Sequence, residues 1–308
     1  MEQIHRGIPT KDGRARTLPT STMGKKGKKT QAGKPKKLTP EDVGKRLDAL
    51  VKKLEKELEG ADLFAPLPPT EDCPICFVPL SRLPTKRLYQ ECCGKLICMG
   101  CFEECKGFET GKREPDCPFC REPAPSTDED TLCKLETRAS KNDSQALYNI
   151  GMYYNKGSNG LSVDKLKALH YLTRAAELGN SFAMTNIGMR YDDGKEVPVD
   201  NEKAALFSRV AALNGNIQGR HNIGAIEYDD FGNHQVGIRH FKIAAEAGYQ
   251  PSLVVLRDIF NGKMPGKQFI RKEELGNLYR ACHDAQEEIK SEMREKHKEG
   301  GEEDVFKC

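Results

Sequence analysis

The sequence contains no tryptophan, and none of its 308 residues belongs to a long apolar run. A helix that crosses a membrane needs about 18 consecutive apolar residues, so no membrane-spanning segment is expected. No apolar export signal opens the chain, although it carries twelve cysteines. Because disulfides are typical of secreted proteins, we expect reduced cysteines and a cytoplasmic location, with nuclear import left open by basic clusters.

A catalytic constellation is also missing. The sequence offers no nucleophile next to a general base, so we assign no catalytic residue. Four of the seven histidines fall within the stretch of residues 142–265, without metal-ligand spacing and without a paired acid, and we interpret them as surface or packing residues: His170, His221, His234 and His240.

Charge is distributed unevenly. Residues 1–37 hold eleven Lys/Arg and two Asp/Glu, a balance of +9, which leaves −6 for the rest of a chain of net charge +3. Such a segment has too few apolar groups to offset its ordering entropy, so residues 1–38 are predicted to be a disordered basic arm. Its lysines could serve nuclear import or nucleic-acid binding, and a solubilising role is the simplest alternative.

A helix is predicted next, over residues 39–60. Thr39 is the expected N-cap, Pro40 occupies the first turn, and an apolar stripe follows until Gly60. The stripe is too short for a coiled coil, so we expect this helix to pack beside the following module, with a dimer seam as the alternative. Residues 61–72 form a proline-rich linker.

Nine of the twelve cysteines fall within residues 73–121, a segment that contains no histidine. They come in four pairs plus Cys105, and each pair can direct two thiolates at one centre. Two such pairs complete the tetrahedron of a structural zinc ion, so four pairs predict two zinc ions rather than disulfides. About fifty residues bury too little surface to fold alone, so metal is expected to stabilise this segment.

The Cys-Pro-Ile-Cys at the start of this segment and the Cys-Pro-Phe-Cys-Arg at its end resemble the two ends of a RING finger. That resemblance implies a cross-brace, in which alternate pairs share an ion. The implied ligands are Cys73, Cys76, Cys98 and Cys101 for one zinc, and Cys92, Cys93, Cys117 and Cys120 for the other. Most RING fingers have a histidine where Lys95 stands, so this would be an eight-cysteine variant, with Cys105 as the reserve ligand.

The resemblance also implies a groove that docks a ubiquitin-conjugating enzyme. Its apolar positions correspond to Ile75, Pro118 and Phe119. Arg121 follows the last ligand, where a cation contacts both the conjugating enzyme and its ubiquitin, and a guanidinium fork suits such bridging. The alternatives are packing between zinc turns for the apolar residues and a solvated charge for Arg121. The groove tryptophan common in the family is absent.

An acidic linker is predicted at residues 122–141, and beyond it the chain repeats itself. The signature Asn-Ile-Gly occurs at residues 149–151, 186–188 and 222–224, and a motif with paired alanines and a glycine follows each, ending at Gly179, Gly215 and Gly248. A period near 36 predicts stacked pairs of helices, and it resembles Sel-one-like repeats, relatives of the tetratricopeptide repeat. We assign residues 142–265 to the repeats, 266–299 to a helical cap and 300–308 to a tail.

The sequence thus predicts a mainly α fold: a helical-repeat solenoid with a two-zinc RING-type module. The favoured function is a RING-type ubiquitin-protein ligase that recruits a ubiquitin-conjugating enzyme and ubiquitin, while the repeats bind a protein substrate or partner. The alternative is a non-catalytic, zinc-stabilised scaffold. Nucleic acid ranks last as a partner, because the basic arm has no aromatic residue to stack on bases, and no membrane partner is expected.

Overall fold

A computed structural model describes residues 38–108 and 116–299, with side chains for residues 38–105 and 116–287. The basic arm that we predict to be disordered, apart from Leu38, and the tail at residues 300–308 therefore fall outside the described residues. The elements are helices α1 (Pro40–Leu58), α2 (Met99–Phe108), α3 (Asp128–Ala139), α4 (Ser144–Lys156), α5 (Lys165–Glu177), α6 (Ser181–Asp193), α7 (Asn201–Leu213), α8 (Ile217–Ala225), α9 (His234–Glu246), α10 (Gln250–Phe260) and α11 (Lys272–Glu299), and strands β1 (Arg87–Tyr89) and β2 (Leu96–Cys98).

The fold is mainly α, as the sequence predicts, and its core lies between paired helices. Helix α4 packs on α5, α6 on α7 and α8 on α9. The glycine of each Asn-Ile-Gly signature lies where two helices approach closely. A methyl group added at Gly188 would lie 3.2 Å from the Ser208 hydroxyl oxygen, and one at Gly224 would lie 2.9 Å from the Phe241 ring. The recurring glycine therefore permits the tight packing of each pair.

Capping residues define the ends of the repeat helices. Asp164 and Asp200 cap α5 and α7 by accepting hydrogen bonds from the backbone N–H of Lys167 and Lys203, at 2.9 and 3.0 Å. Gly179, in the turn after α5, has a positive φ of 86°, which a glycine adopts without steric cost. These caps confirm the helix boundaries that the sequence predicts.

The third repeat differs from the first two. Helix α8 ends at Ala225 and continues as a π-helical turn, Ile226–Asp230, and three residues separate this turn from α9. Its connecting loop is shorter, since the Asn233 N–H bonds the carbonyl of Glu227, whereas the Asp200 N–H bonds that of Tyr191 in the second repeat. The shortened loop explains why Gly215 and Gly248 are closer in sequence than Gly179 and Gly215.

Helix α1 contradicts one expectation. Thr39 caps it and Pro40 begins it, as predicted. However, it packs mainly against α5 and α7 of the repeats. Val43, Leu47 and Leu54 are buried in the same core as the repeat helices. The apolar stripe is therefore covered by the repeats, whose buried cluster is far larger than that of the cysteine-rich segment.

Residues 122–141 are also not simply a linker. Helix α3 occupies Asp128–Ala139, and Thr127 caps its N-terminus, since the Thr127 hydroxyl accepts a hydrogen bond from the Asp130 N–H at 3.1 Å. The acidic residues that suggested a linker fill the first turn, where they interact favourably with the helix dipole. Leu135 and Ala139 are buried in the repeat core.

Helices α10 and α11 close the C-terminal end of the stack. Leu256 and Ile259 of α10, with Leu275 and Leu278 of α11, join a second buried cluster that reaches back to Phe241 of α9. Among the described residues, no helix combines the length and the apolar character that crossing a bilayer requires.

Candidate metal centres

The first candidate metal centre collects four cysteines from three places in the chain. Two come from the turn at residues 73–76, one from the end of β2 and one from the start of α2. The sulfur atoms of this set lie within 4.8 Å of one another: Cys73, Cys76, Cys98 and Cys101. All but Cys76 are buried. Backbone N–H groups point at two of the sulfurs, from Cys98 to Cys73 and from Cys101 to Cys98, both at 3.4 Å.

A second set of four lies in the same module, which we call the cysteine-rich module (residues 73–121). Its sulfur atoms also lie within 4.8 Å of one another: Cys92, Cys93, Cys117 and Cys120. The adjacent Cys92 and Cys93 both contribute. Cys105, the reserve ligand, is buried but belongs to neither set. The two sets alternate along the chain, which is the arrangement that the RING resemblance implies.

The spacing of the sulfurs fits a tetrahedral ion. Four thiolates about 2.3 Å from a zinc ion would lie about 3.8 Å from one another. The sulfur–sulfur distances are 3.9 Å for Cys73–Cys101, 3.8 Å for Cys76–Cys98 and 3.7 Å for Cys93–Cys117, too long for a disulfide. Burial raises the pKa of the Cys93 thiol, and a cation bound nearby would favour its thiolate form. Both sets could therefore hold a metal ion.

The first and the last of the four cysteine pairs lie in two turns that have the same geometry. The Phe77 N–H bonds the Cys73 carbonyl at 2.8 Å, and the Arg121 N–H bonds the Cys117 carbonyl at 2.9 Å. Both residues have a positive φ, of 59° and 56°. A non-glycine residue in this conformation costs about 1–2 kcal/mol. Sequence patterns do not reveal this strain, which convergence of the thiolates on an ion would offset.

The four residues predicted to contact a conjugating enzyme lie in or beside these turns. Ile75 and Phe119 are half-buried and pack against one small core, which contains Leu80 and Ile97. Pro118 is half-buried and Arg121 is exposed. Phe77 is not among the predicted contact residues, yet 76% of its surface is exposed, which is unusual for an aromatic side chain. An exposed aromatic in a turn cannot be told from a buried one by sequence pattern.

The cysteine-rich module contacts the repeats at three successive turns. Tyr89 of β1 donates a hydrogen bond to the Asp143 carboxylate at 2.8 Å, just before α4. The Arg87 guanidinium lies 4.8 Å from the centre of the Phe182 ring in α6. Arg82 donates to the Gly215 carbonyl at 3.3 Å, just before α8. The module therefore lies along the row of turns that link one repeat to the next.

The proline-rich segment before the module is also attached to the repeats. Arg220, 1% exposed, donates hydrogen bonds to the carbonyls of Leu63 and Ala212. The Phe64 ring stacks on His240 at 4.7 Å, and the Arg239 guanidinium covers it at 3.8 Å. Burial, followed by the nearby arginines, lowers the pKa of His240 to about 3, so this imidazole is neutral at physiological pH. The segment does not behave as a free linker.

Asp143 joins the module to the repeats and caps α4. One carboxylate oxygen accepts from Tyr89 and from Arg138, at 2.8 and 2.7 Å, and the other accepts the N–H groups of Gln145 and Ala146. Burial alone would raise the pKa of this carboxyl, but the hydrogen bonds from Arg138 and Tyr89 outweigh it and lower the pKa. The charged form is therefore the one that the structure stabilises.

We expect Asp143→Ala to lower the free energy of unfolding by about 3 kcal/mol, because it removes a cap and leaves Tyr89 and Arg138 without their charged acceptor. The matched control is Asp164→Ala, which removes a cap of the same kind without a partner from the module and should cost about 1 kcal/mol. Urea denaturation followed by circular dichroism measures both. Equal losses would show that the contact with the module contributes nothing to stability.

Comparison with known proteins identifies the helical part. The family model for the Sel1 repeat matches residues 144–180, 181–216 and 225–249. Two curated proteins of Arabidopsis thaliana are similar: the ERAD-associated E3 ubiquitin-protein ligase component HRD3A, 38% identical over 60 residues, and HRD3B, 33% identical over 93. These matches span 20% and 30% of this chain, but only 9% and 14% of the relatives.

Two solved structures are also similar. One is a Sel1 repeat protein from Oxalobacter formigenes, with a TM-score of 0.44 over 51% of this chain and 64% of that one. The other is c5321, a protective antigen of uropathogenic Escherichia coli with an SLR fold, with a TM-score of 0.43 over 50% and 33%. Each is 24% identical to this chain. The family match and the paired helices agree, and the C-terminal half of this chain contains Sel1 repeats.

Proposed function

We propose that this chain is a RING-type ubiquitin-protein ligase, in which the cysteine-rich module recruits a ubiquitin-conjugating enzyme and the Sel1 repeats bind a protein partner. The observation that carries the proposal is the alternation of two four-cysteine sets with sulfur spacing suited to zinc. The names of the Arabidopsis relatives support it, since both are components of a ubiquitin ligase.

Zinc in such a module would have a structural role only. Four thiolates leave no open coordination position for a substrate, so the ions would fix the turns that carry Ile75, Phe119 and Arg121. The first two, packed on one small core, would form the apolar contact with the conjugating enzyme. The exposed Arg121 would donate hydrogen bonds to that enzyme and to its ubiquitin.

The proposed activity requires no nucleophile of this chain. The amine of an acceptor lysine attacks the thioester carbon, an amide bond forms, and the thiol of the conjugating enzyme leaves. This chain would accelerate transfer by holding donor and acceptor together, which makes the reaction effectively intramolecular. Such a role agrees with the absence of a predicted catalytic residue.

Ubiquitin transfer by the wild-type chain with a panel of conjugating enzymes tests the proposal. We expect Ile75→Ala and Arg121→Ala each to lower the rate at least about tenfold, a loss of about 1.4 kcal/mol in transition-state binding. The matched control is Val163→Ala, an exposed apolar residue of the repeats, which should leave the rate unchanged. Mass spectrometry of the intact protein should find two zinc ions in every variant.

Two outcomes would contradict the proposal. Activity that survives both substitutions would show that the docking groove lies elsewhere. A wild-type chain that holds two zinc ions but is inactive with every conjugating enzyme would favour the second candidate, a non-catalytic scaffold. The extensive contact between module and repeats is the observation that favours the scaffold.

A further inference from the structure

A cavity of about 300 Å³ opens between α6, α7 and α8, away from the cysteine sets. Its mouth carries three exposed aspartates, Asp192 from α6 and Asp229 and Asp230 from the π-helical turn. Within the described part of the chain, none of the three carboxylates has a hydrogen bond or an ion pair. Two arginines of α6 and α7 are paired with other acids, Arg190 with Glu196 at 3.2 Å and Arg209 with Glu227 at 2.8 Å.

A second polar group points to a ligand. Ser208 of α7 lines the same cavity and is 1% exposed, yet its hydroxyl oxygen has no hydrogen-bond partner among the described residues. A buried hydroxyl without a partner costs about 1–3 kcal/mol, so such groups are expected to have one in the functional state. A donor that enters this cavity would supply it.

The site is unsuited to a chelated metal ion. Among the described residues, the sets of ligand atoms close enough to hold a metal are the two cysteine sets, and the aspartates form no such set. Burial, together with the charges of Asp230 and Asp193, raises the pKa of Asp192, as expected for like charges without a cation. Met189, 39% exposed, adds apolar surface at the edge.

We infer that this cavity binds a lysine or arginine side chain from an extended segment of a partner protein. The aspartates neutralise the charged head, Ser208 accepts a hydrogen bond from it, and Met189 covers the methylene stem, since such side chains are apolar along their length. The inference rests on the partner-binding role proposed for the repeats, and it is independent of ubiquitin transfer.

Fluorescence anisotropy with the full chain tests this inference. The probe is a fluorescein-labelled glycine–serine peptide that carries three lysines, and its control is the same peptide with acetylated lysines. We expect only the unmodified peptide to bind. Asp192→Asn combined with Asp229→Asn should weaken binding at least about tenfold, and Ser208→Ala about threefold.

The matched control is Glu246→Gln combined with Glu273→Gln, which removes the same charge from exposed positions on α9 and α11 and should change the affinity less than about twofold. Equal loss in both double variants, equal binding of the acetylated peptide, or displacement of the peptide by an equal concentration of spermidine would overturn the inference. Because no ubiquitin is present, a negative result here would leave the ligase proposal standing, and the reverse also holds.

Discussion

Replacing Cys73 with serine is expected to remove the zinc ion from its own site, so that the chain holds one ion instead of two, and to loosen the small core packed around that site. Cys73 is fully buried, with its sulfur 3.9 Å from that of Cys101. A structural zinc site contributes about 10–16 kcal/mol of apparent binding free energy, which exceeds the stability of many whole domains. Plasma mass spectrometry measures the zinc, and the near-ultraviolet circular dichroism spectrum reports the loss of packing.

The repeats should remain folded in this variant, since their core is built from the paired helices. The far-ultraviolet spectrum should therefore keep most of its helical signal. Cys133→Ser is the matched control, because Cys133 is exposed and lies outside both sets. Retention of two zinc ions by the Cys73 variant, or an equal loss in the control, would be incompatible with the assigned ligand set.

Phe207→Ala should lower the free energy of unfolding by about 3–5 kcal/mol, the usual cost of truncating a fully buried phenylalanine. Phe207 has no exposed surface, stacks on Tyr191 with ring centres 5.9 Å apart, and packs against Gly188. The cavity would lie inside the second Sel1 repeat, between two helices that cannot collapse onto it. The urea midpoint should fall while the slope of the transition stays the same.

The same truncation at an exposed position is the control. Phe77→Ala removes an aromatic ring that is 76% exposed, so its effect on stability should stay within about 0.5 kcal/mol. If the two substitutions had similar effects, Phe207 would not lie in the core where the structure places it.

Periodicity and capping chemistry made the repeats predictable from sequence. The spacing of the Asn-Ile-Gly signature identified the paired helices, and Asp164 and Asp200 identified the starts of two of them, because both signals are local in the chain. The cysteine pairs were equally visible. Their alternation in space could be inferred only through the RING resemblance, since pair spacing alone does not say which pairs share an ion.

Long-range contacts account for what sequence analysis missed. An apolar stripe shows that α1 packs on something, but not that α5 and α7 cover it. Nothing local distinguishes Phe64 from any aromatic residue in a linker, because its partners His240 and Arg239 lie more than 170 residues away. The acidic cavity likewise combines residues from two repeats, and the unusual π-helical turn contributes two of its carboxylates.

The attachment of residues 63 and 64 to the repeats limits how far the cysteine-rich module can move relative to the repeats. When a flexible tether joins two binding modules, the effective concentration of one ligand near the other depends on tether length. Here Arg220 holds the Leu63 carbonyl, and Phe64 is stacked between His240 and Arg239, so a rigid frame replaces the tether. Under the proposed function, only those lysines of a bound protein that face the docked conjugating enzyme would be modified. Inserting glycines next to residues 63 and 64, with their contacts to Arg220, His240 and Arg239 intact, would not increase the number of lysines that are modified.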